Sequence, residues 1–198
     1  MAPAAAARLS EPVTLLTDYA LGAVSAYLGL RLFRFSRYWA LAFLALGLAA
    51  FLGGTWHGLF QHDLLWKATL LAVGVASFGM VCGSAFIALR GLFARAVLGF
   101  AALKLLLYSG WMLFHDDFIW VIIDTAAALA IVGALHLWRF NGWMLAGVAL
   151  SVVAALAQAS GFALHRHFNH NDLYHVIQIA AMVLLYRGAR QLEDARAA

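Results

Sequence analysis

The segment NHNDLYHVIQ, residues 169–178, places metal-ligand and proton-transfer side chains at the start of an otherwise apolar run. Residues three or four apart share one face of a helix, and four polar residues here have that spacing: Asn171, Asp172, His175 and Gln178. His170 precedes His175 by five residues, about 140° around an ideal helix. It can join the same face only if the helix begins close to it. Ionisable groups in membrane segments are costly and tend to be functional, so this face is the first candidate site.

A second candidate is His57, in the segment LGGTWHGLFQHD. Small residues such as the glycines around it allow membrane helices to approach closely. Gln61 follows about one turn later and can orient the imidazole. The end of this apolar segment and the start of the one that holds His175 are predicted to lie at the same end of a bundle. We therefore expect His57 to be a ligand that faces His175.

Aspartates in or beside other apolar segments are further candidates: Asp18, Asp117 and Asp124. Asp117 and Asp124 are seven residues apart and share a face, with Asp124 about 10 Å deeper along the axis. Two interpretations of Asp124 stay open. It forms a buried ion pair with Lys104, which lies at a similar depth, or it carries protons for a reaction. Asp18 lies about two turns into the first apolar segment and needs either a polar partner or access to water.

Histidine with carboxylate is the chemistry of a metal site that activates water; zinc is the expected ion, and iron, manganese or nickel would also suit these ligands. Catalytic zinc takes three protein ligands and leaves a fourth position for water, whose pKa falls to about 7. The predicted ligands are His57, His175 and either His170 or Asp172. Asp124 or Asp117 is the predicted general base, with Asp18 as a further catalytic candidate, and Asn171, Gln178 and Gln61 are expected to support the ligands.

The elements that must position these residues are membrane helices. Of 198 residues, 65% are hydrophobic and only 11% are charged, and the mean hydropathy is +0.87. A spanning helix needs roughly 20 mainly apolar residues, and seven segments meet that requirement. The sequence thus predicts an all-α, seven-helix transmembrane bundle with spans at 13–35, 38–59, 64–89, 92–114, 117–138, 142–164 and 171–188.

A single domain, 13–190, holds all seven spans, between a flexible N-terminal tail at 1–12 and a C-terminal tail at 191–198. The lone Cys82 cannot form an internal disulfide. The net charge of +4 belongs to loops beside the membrane and does not indicate a nucleic acid partner. The sequence leaves the oligomeric state open.

Charged residues are distributed unequally between the two ends of the predicted bundle. We call the end that holds the start of the first span side A, and the opposite end side B. Nine of the 13 basic residues fall on side B, whereas seven of the eight histidines and seven of the nine acidic residues fall on side A. The positive-inside rule makes side B cytoplasmic. We therefore expect a multi-pass protein of a bacterial inner membrane, with its N-terminus and metal site facing the periplasm.

The seven-helix plan, His57 near the end of the second span and NDLYHV at the head of the seventh resemble the alkaline ceramidase and progestin-and-adiponectin-receptor superfamily of membrane hydrolases. In that family a histidine of the second helix and two histidines of the seventh hold zinc. By position, His57 and His175 match two of these ligands and Asn171 falls on the third. The family's serine falls on Gly53, and the third span of this chain contains no aspartate. The resemblance implies zinc-dependent cleavage of lipid amide or ester bonds.

The leading hypothesis is a metal-dependent membrane hydrolase that cleaves an amide or ester bond of a membrane lipid or lipid-like substrate with activated water. A transporter or sensor of metal ions or protons is one alternative, although side B offers little polar lining besides His136. A b-type protein with a single haem bound near side A is another.

Overall fold

The computed structural model describes the chain from residue 10 to residue 197, with side chains as far as Gln191. Apart from one isolated bridge between His165 and Phe168, the regular structure in this range is α-helical. The helices are α1 (Pro12–Leu32), α2 (Arg37–Gly58), α3 (Asp63–Ala88), α4 (Gly91–Met112), α5 (Ile119–Trp138), α6 (Gly142–Ala159) and α7 (His170–Ala197).

The first six helices, α1 to α6, are long and apolar enough to cross a membrane. The all-α prediction is confirmed, and six apolar helices are compatible with a multi-pass membrane protein. α7 is not among the six, because polar residues fill its first turns and charged residues fill its last ones. Its uninterrupted apolar part runs only from Ile179 to Tyr186, well short of the length that a spanning helix needs.

Helix boundaries differ from the predicted spans by more than three residues in two places. α6 ends at Ala159 rather than at residue 164, because Gly161 takes a left-handed conformation (φ 66°) that ends a helix readily. α7 continues to Ala197, so residues 191–197 of the predicted C-terminal tail are helical. The letters QLEDARA are mostly good helix formers, which explains the extension. Residues 1–9 of the predicted N-terminal tail and Ala198 lie outside the described residues.

Packing places α1 at the centre of the side A site. α1 packs against both α2 and α7. α2 also packs against α3, and α6 packs along α7. The α6–α7 contact is close because a Cβ at Gly188 would lie 2.8 Å from the backbone nitrogen of Met144. α4 lies at the periphery and packs mainly on α3. The end of α2 and the starts of α1 and α7 therefore meet at one end of the bundle.

Candidate active site

His175 and Asp18 form the buried centre of this region. The Nε2 atom of His175 lies 3.0 Å from Oδ1 of Asp18, and the two residues are only 6% and 5% exposed. His175 belongs to the second turn of α7, and Asp18 to the second turn of α1. A buried carboxylate is stable only when it is paired or hydrogen-bonded, so this contact fixes both side chains.

Thr17 occupies the other side of the imidazole. Its Oγ1 lies 3.0 Å from Nδ1 of His175 and also donates to Oδ1 of Asp172 at 3.4 Å. A carboxylate at Nε2 favours the proton on that nitrogen, so Nδ1 is an acceptor, and it shares the single proton of the Thr17 hydroxyl with Oδ1 of Asp172. Thr17 and Asp18, which are neighbours in α1, thus contact the two ring nitrogens of His175.

Asp172 and Asn169 cap the start of α7. Oδ1 of Asn169 accepts from the backbone N–H groups of Asn171 at 2.8 Å and of Asp172 at 3.3 Å. In return, Oδ2 of Asp172 accepts from the backbone N–H of Asn169 at 2.7 Å. This reciprocal arrangement is a capping box. Both carboxylate oxygens of Asp172 are therefore bound to protein donors.

His57 lies in the last turn of α2, where glycines bring that helix against α1. A Cβ at Gly54 would lie 2.8 Å from Cβ of Asp18, so only glycine allows this approach. The Nδ1 atom of His57 is buried without a hydrogen-bond partner among the described residues, and Oε2 of Glu11 lies 3.4 Å away. Nδ1 of His57 thus faces the Glu11 carboxylate without a hydrogen bond, which leaves this nitrogen available for a ligand.

A cavity of about 340 Å³, which we call the polar chamber, joins these residues. Its walls come from α1, α2, α3, α5, α6 and α7. The polar side chains that line it are Asp18, His57, Thr69, Gln158, His170, Asn171, Tyr174 and His175. Asp172 does not line it. Three histidines and one aspartate from three helices thus line one cavity near side A.

A second cavity of about 260 Å³, which we call the apolar chamber, adjoins the first. Both cavities are lined by Phe118, Ile122, Gln158 and Tyr174, so they meet at these side chains. The walls of the apolar chamber continue on α5 and α6, where Val152 is 42% exposed and Leu156 is 64% exposed. The wall of the apolar chamber therefore includes side chains that also belong to the apolar outer surface of the bundle.

Three of the predicted site residues lie away from the polar chamber. Oδ1 of Asp124 pairs with Nζ of Lys104 at 2.5 Å, and neither residue lines either cavity. Oδ1 of Asp117 accepts from the backbone N–H of Ile119 at the exposed start of α5. Gln61 is exposed in the loop after α2. Of the ion-pair and proton-carrier interpretations of Asp124, the geometry thus favours the ion pair.

The two amide side chains predicted to support the site lie on its walls. Oδ1 of Asn171 accepts from Nε2 of Gln158 at 3.3 Å, beside the polar chamber. Gln178 lines the apolar chamber instead, and its Nε2 donates to Oγ of Ser151 at 3.2 Å. Asn171 therefore lies beside the histidines, whereas Gln178 lies about one turn deeper than His175.

The donor set around the polar chamber suits a metal such as zinc, which accepts imidazole nitrogen and carboxylate oxygen. His57, His170 and His175 all line it, and Nδ1 of His57 is free of hydrogen bonds. Within residues 10–191, however, no group of three or more His, Cys, Asp or Glu side chains is arranged closely enough to hold an ion. The residue types therefore suit zinc, but their present arrangement does not form a metal site, and binding would require them to come closer together.

Two residues of this region were not among those predicted from the sequence. Thr17 bridges His175 and Asp172, and Glu11 accepts from Oγ1 of Thr14 at 3.2 Å while approaching His57. The spacing of Thr14, Thr17 and Asp18 on one face of α1 was the available signal. The NHND letters likewise carry the capping-box pattern, with Asn169 at the cap and Asp172 three residues later.

Comparison with known proteins gives one match. Neither the curated proteins nor the solved structures contain a significant match to this chain. The profile of one protein family matches residues 13–194, which cover all but the first residue of α1 and most of α7. The chain therefore belongs to the family described as "Family of unknown function (DUF6962)".

Proposed function

We propose that this protein is a membrane-embedded hydrolase that cleaves an amide or ester bond of a lipid-like substrate with water as the nucleophile. One observation carries the proposal: a chamber lined by three histidines and an aspartate adjoins an apolar chamber whose wall includes residues of the outer surface of the bundle. This combination fits a molecule with a polar head and an apolar chain. The head lies beside His57 and His175, and the chain extends between α5 and α6.

Asp18 is the group that we assign to take the proton of the attacking water. One of its oxygens is held by Nε2 of His175, and the residue lines the polar chamber. The water oxygen bonds to the carbonyl carbon, and its proton passes to the carboxylate. The bond from that carbon to the leaving nitrogen or oxygen then breaks, and the leaving group takes the proton from Asp18. His175 keeps the carboxylate in place and stabilises its charge.

Zinc is the proposed cofactor, with His57 and His170 as the residues that would hold it; His175 would join them only by giving up its contact with Asp18 or with Thr17. Asp172 is the weaker candidate because both of its oxygens already bind protein donors. When bound, zinc supplies a Lewis acid that polarises a carbonyl oxygen and lowers the pKa of water. We expect near-stoichiometric zinc in the purified protein and its loss in His57→Ala. His167→Ala, in the exposed loop before α7, serves as the control that keeps its zinc.

The proposal includes a seventh membrane crossing by α7. This helix packs along α6 and α1, and its polar residues His175 and Gln178 line the chambers rather than the outer surface. The surplus of arginine at side B favours a cytoplasmic position for that end. The polar chamber would then face the periplasm of a bacterial inner membrane.

Release of fatty acid from a panel of acyl esters and acyl amides tests the proposal. The natural protein and His175→Ala, both in lipid nanodiscs, are incubated with the panel, and the products are quantified by mass spectrometry. We expect release by the natural protein and its loss in His175→Ala, while His167→Ala remains active. Absence of release from every substrate would refute the hydrolase. Metal-ion uptake into proteoliposomes under those conditions would then favour transport.

A further inference from the structure

The apolar chamber has polar groups at its wall that no hydrolytic step requires. They come from four different helices: Ser77 on α3, Thr125 on α5, Ser151 on α6 and Gln178 on α7. Ser77 is fully buried, and Ser151 and Gln178 are 5% and 7% exposed. Polar residues gathered around a space otherwise bounded by apolar side chains indicate a ligand that carries a polar group there.

Two of these residues lack hydrogen-bond partners. Oγ of Ser77 and Oγ1 of Thr125 are buried and bind no donor or acceptor within the described part of the chain. Helical serine and threonine commonly donate to the carbonyl four residues earlier. Thr69 does so on the same helix as Ser77, with its Oγ1 2.9 Å from the carbonyl of Leu65. A buried hydroxyl without a partner is destabilising, so rotation of either side chain towards a ligand in the chamber would give its hydroxyl a partner.

Gln178 adds an acceptor to the same wall. Its amide Nε2 donates to Oγ of Ser151 at 3.2 Å and approaches Sδ of Met182 at 3.6 Å. Its carbonyl oxygen makes no hydrogen bond to the residues that the structure describes. The chamber therefore offers two hydroxyls that can donate or accept and one carbonyl that accepts. A ligand hydroxyl, which both donates and accepts, matches this set.

The hydroxyl groups of Ser77 and Thr125 lie deep in the bundle relative to the polar chamber, where the substrate bond would be cleaved. Ser77 is eight residues beyond Thr69 on α3, or about 12 Å along the helix axis, and Thr69 lines the polar chamber. On the proposed function, the head of the substrate occupies that polar chamber. The group that meets Ser77 and Thr125 is therefore part of the chain and not part of the head. We propose that the apolar chamber selects a lipid whose acyl chain carries a hydroxyl group along its length.

Competitive binding of fatty acids, which are the products expected from the proposed hydrolysis, tests this specificity. Detergent-purified protein is incubated with equal amounts of stearate and a monohydroxystearate, and native mass spectrometry measures the ratio that is retained. A series of isomers moves the hydroxyl along the chain. We expect one isomer to be preferred by roughly three- to tenfold, the effect of about one hydrogen bond. Ser77→Ala and Thr125→Val should each reduce that ratio towards one.

Ser25→Ala is the matched control, because Oγ of Ser25 is equally buried and unpartnered but lies on α1 outside both chambers. It should leave the preference unchanged. Equal binding of stearate and every isomer would overturn the inferred specificity and leave the hydrolase proposal intact. A preference that survives both Ser77→Ala and Thr125→Val would also overturn it. Binding of neither acid would contradict the specificity and the lipid chamber together, whatever the hydrolysis assay shows.

Discussion

Removal of Lys104 should destabilise the protein strongly, because Asp124 depends on it. Oδ1 of Asp124 pairs with Nζ of Lys104 at 2.5 Å, and its Oδ2 is buried without a partner among the described residues. The side chains are 14% and 6% exposed, so water screens the pair poorly. Loss of one member of a buried pair costs about 3–5 kcal/mol. Lys104→Met leaves both carboxylate oxygens unpaired, which favours the upper part of that range.

The double variant Lys104→Met with Asp124→Leu removes both charges and should recover most of that loss, to within about 1 kcal/mol of the natural protein. At about 2–4 °C per kcal/mol for a chain of this length, the single variant should lower the apparent Tm by roughly 6–20 °C. Cys82 is the only cysteine and is fully buried, so a thiol-reactive dye can follow unfolding. Equal destabilisation of the single and double variants would refute the reasoning.

Hydrolysis by the double variant should persist, and its loss in a stably folded protein would make Asp124 catalytic after all.

Three further substitutions test the packing and the site. Gly79→Ala should lower the free energy of unfolding by about 1–3 kcal/mol, because its Cβ would lie 2.8 Å from backbone atoms of α2. Gly99→Ala is the control, since its Cβ would meet nothing within 4 Å. Equal Tm values for the two variants would contradict this prediction. Asn169→Ala removes the cap of α7 and should cost about 0.5–2 kcal/mol in the same assay; an unchanged Tm would count against the cap. Thr17→Val deprives Nδ1 of His175 of its partner and should slow hydrolysis more than it lowers Tm, and full activity would show that Thr17 does not position the ring.

Hydropathy and charge were sufficient to predict the helices and the end of the bundle at which the polar residues gather. His57 and His175 come from segments more than 100 residues apart, and the alternation of spans alone brings them to the same side. Their predicted roles still depend on experiment. Membrane crossing by α7 also stays a prediction, because the polar residues of its first turns lower the mean hydropathy of this helix.

Rotation and capping of individual helices could not be predicted from spacing alone. Asp172 shares a face with His175, yet it turns towards Asn169 and Thr17 because the start of α7 needs a cap. His170, which spacing placed off that face, lines the polar chamber. The apolar chamber is formed by gaps between side chains of several helices, and such gaps leave no periodic signal in the sequence.

Hydrolysis in heavy-oxygen water, by the natural protein and by Asp18→Asn, tests whether the polar chamber is a hydrolytic site in which Asp18 accepts a proton from water. Asparagine keeps the shape of the side chain but cannot take a proton from water. We expect the released fatty acid to carry one heavy oxygen, and its rate of release to fall about 10²–10⁴-fold in Asp18→Asn. An unlabelled product, or an equal rate in a correctly folded Asp18→Asn protein, would contradict the assignment of the polar chamber as a hydrolytic site.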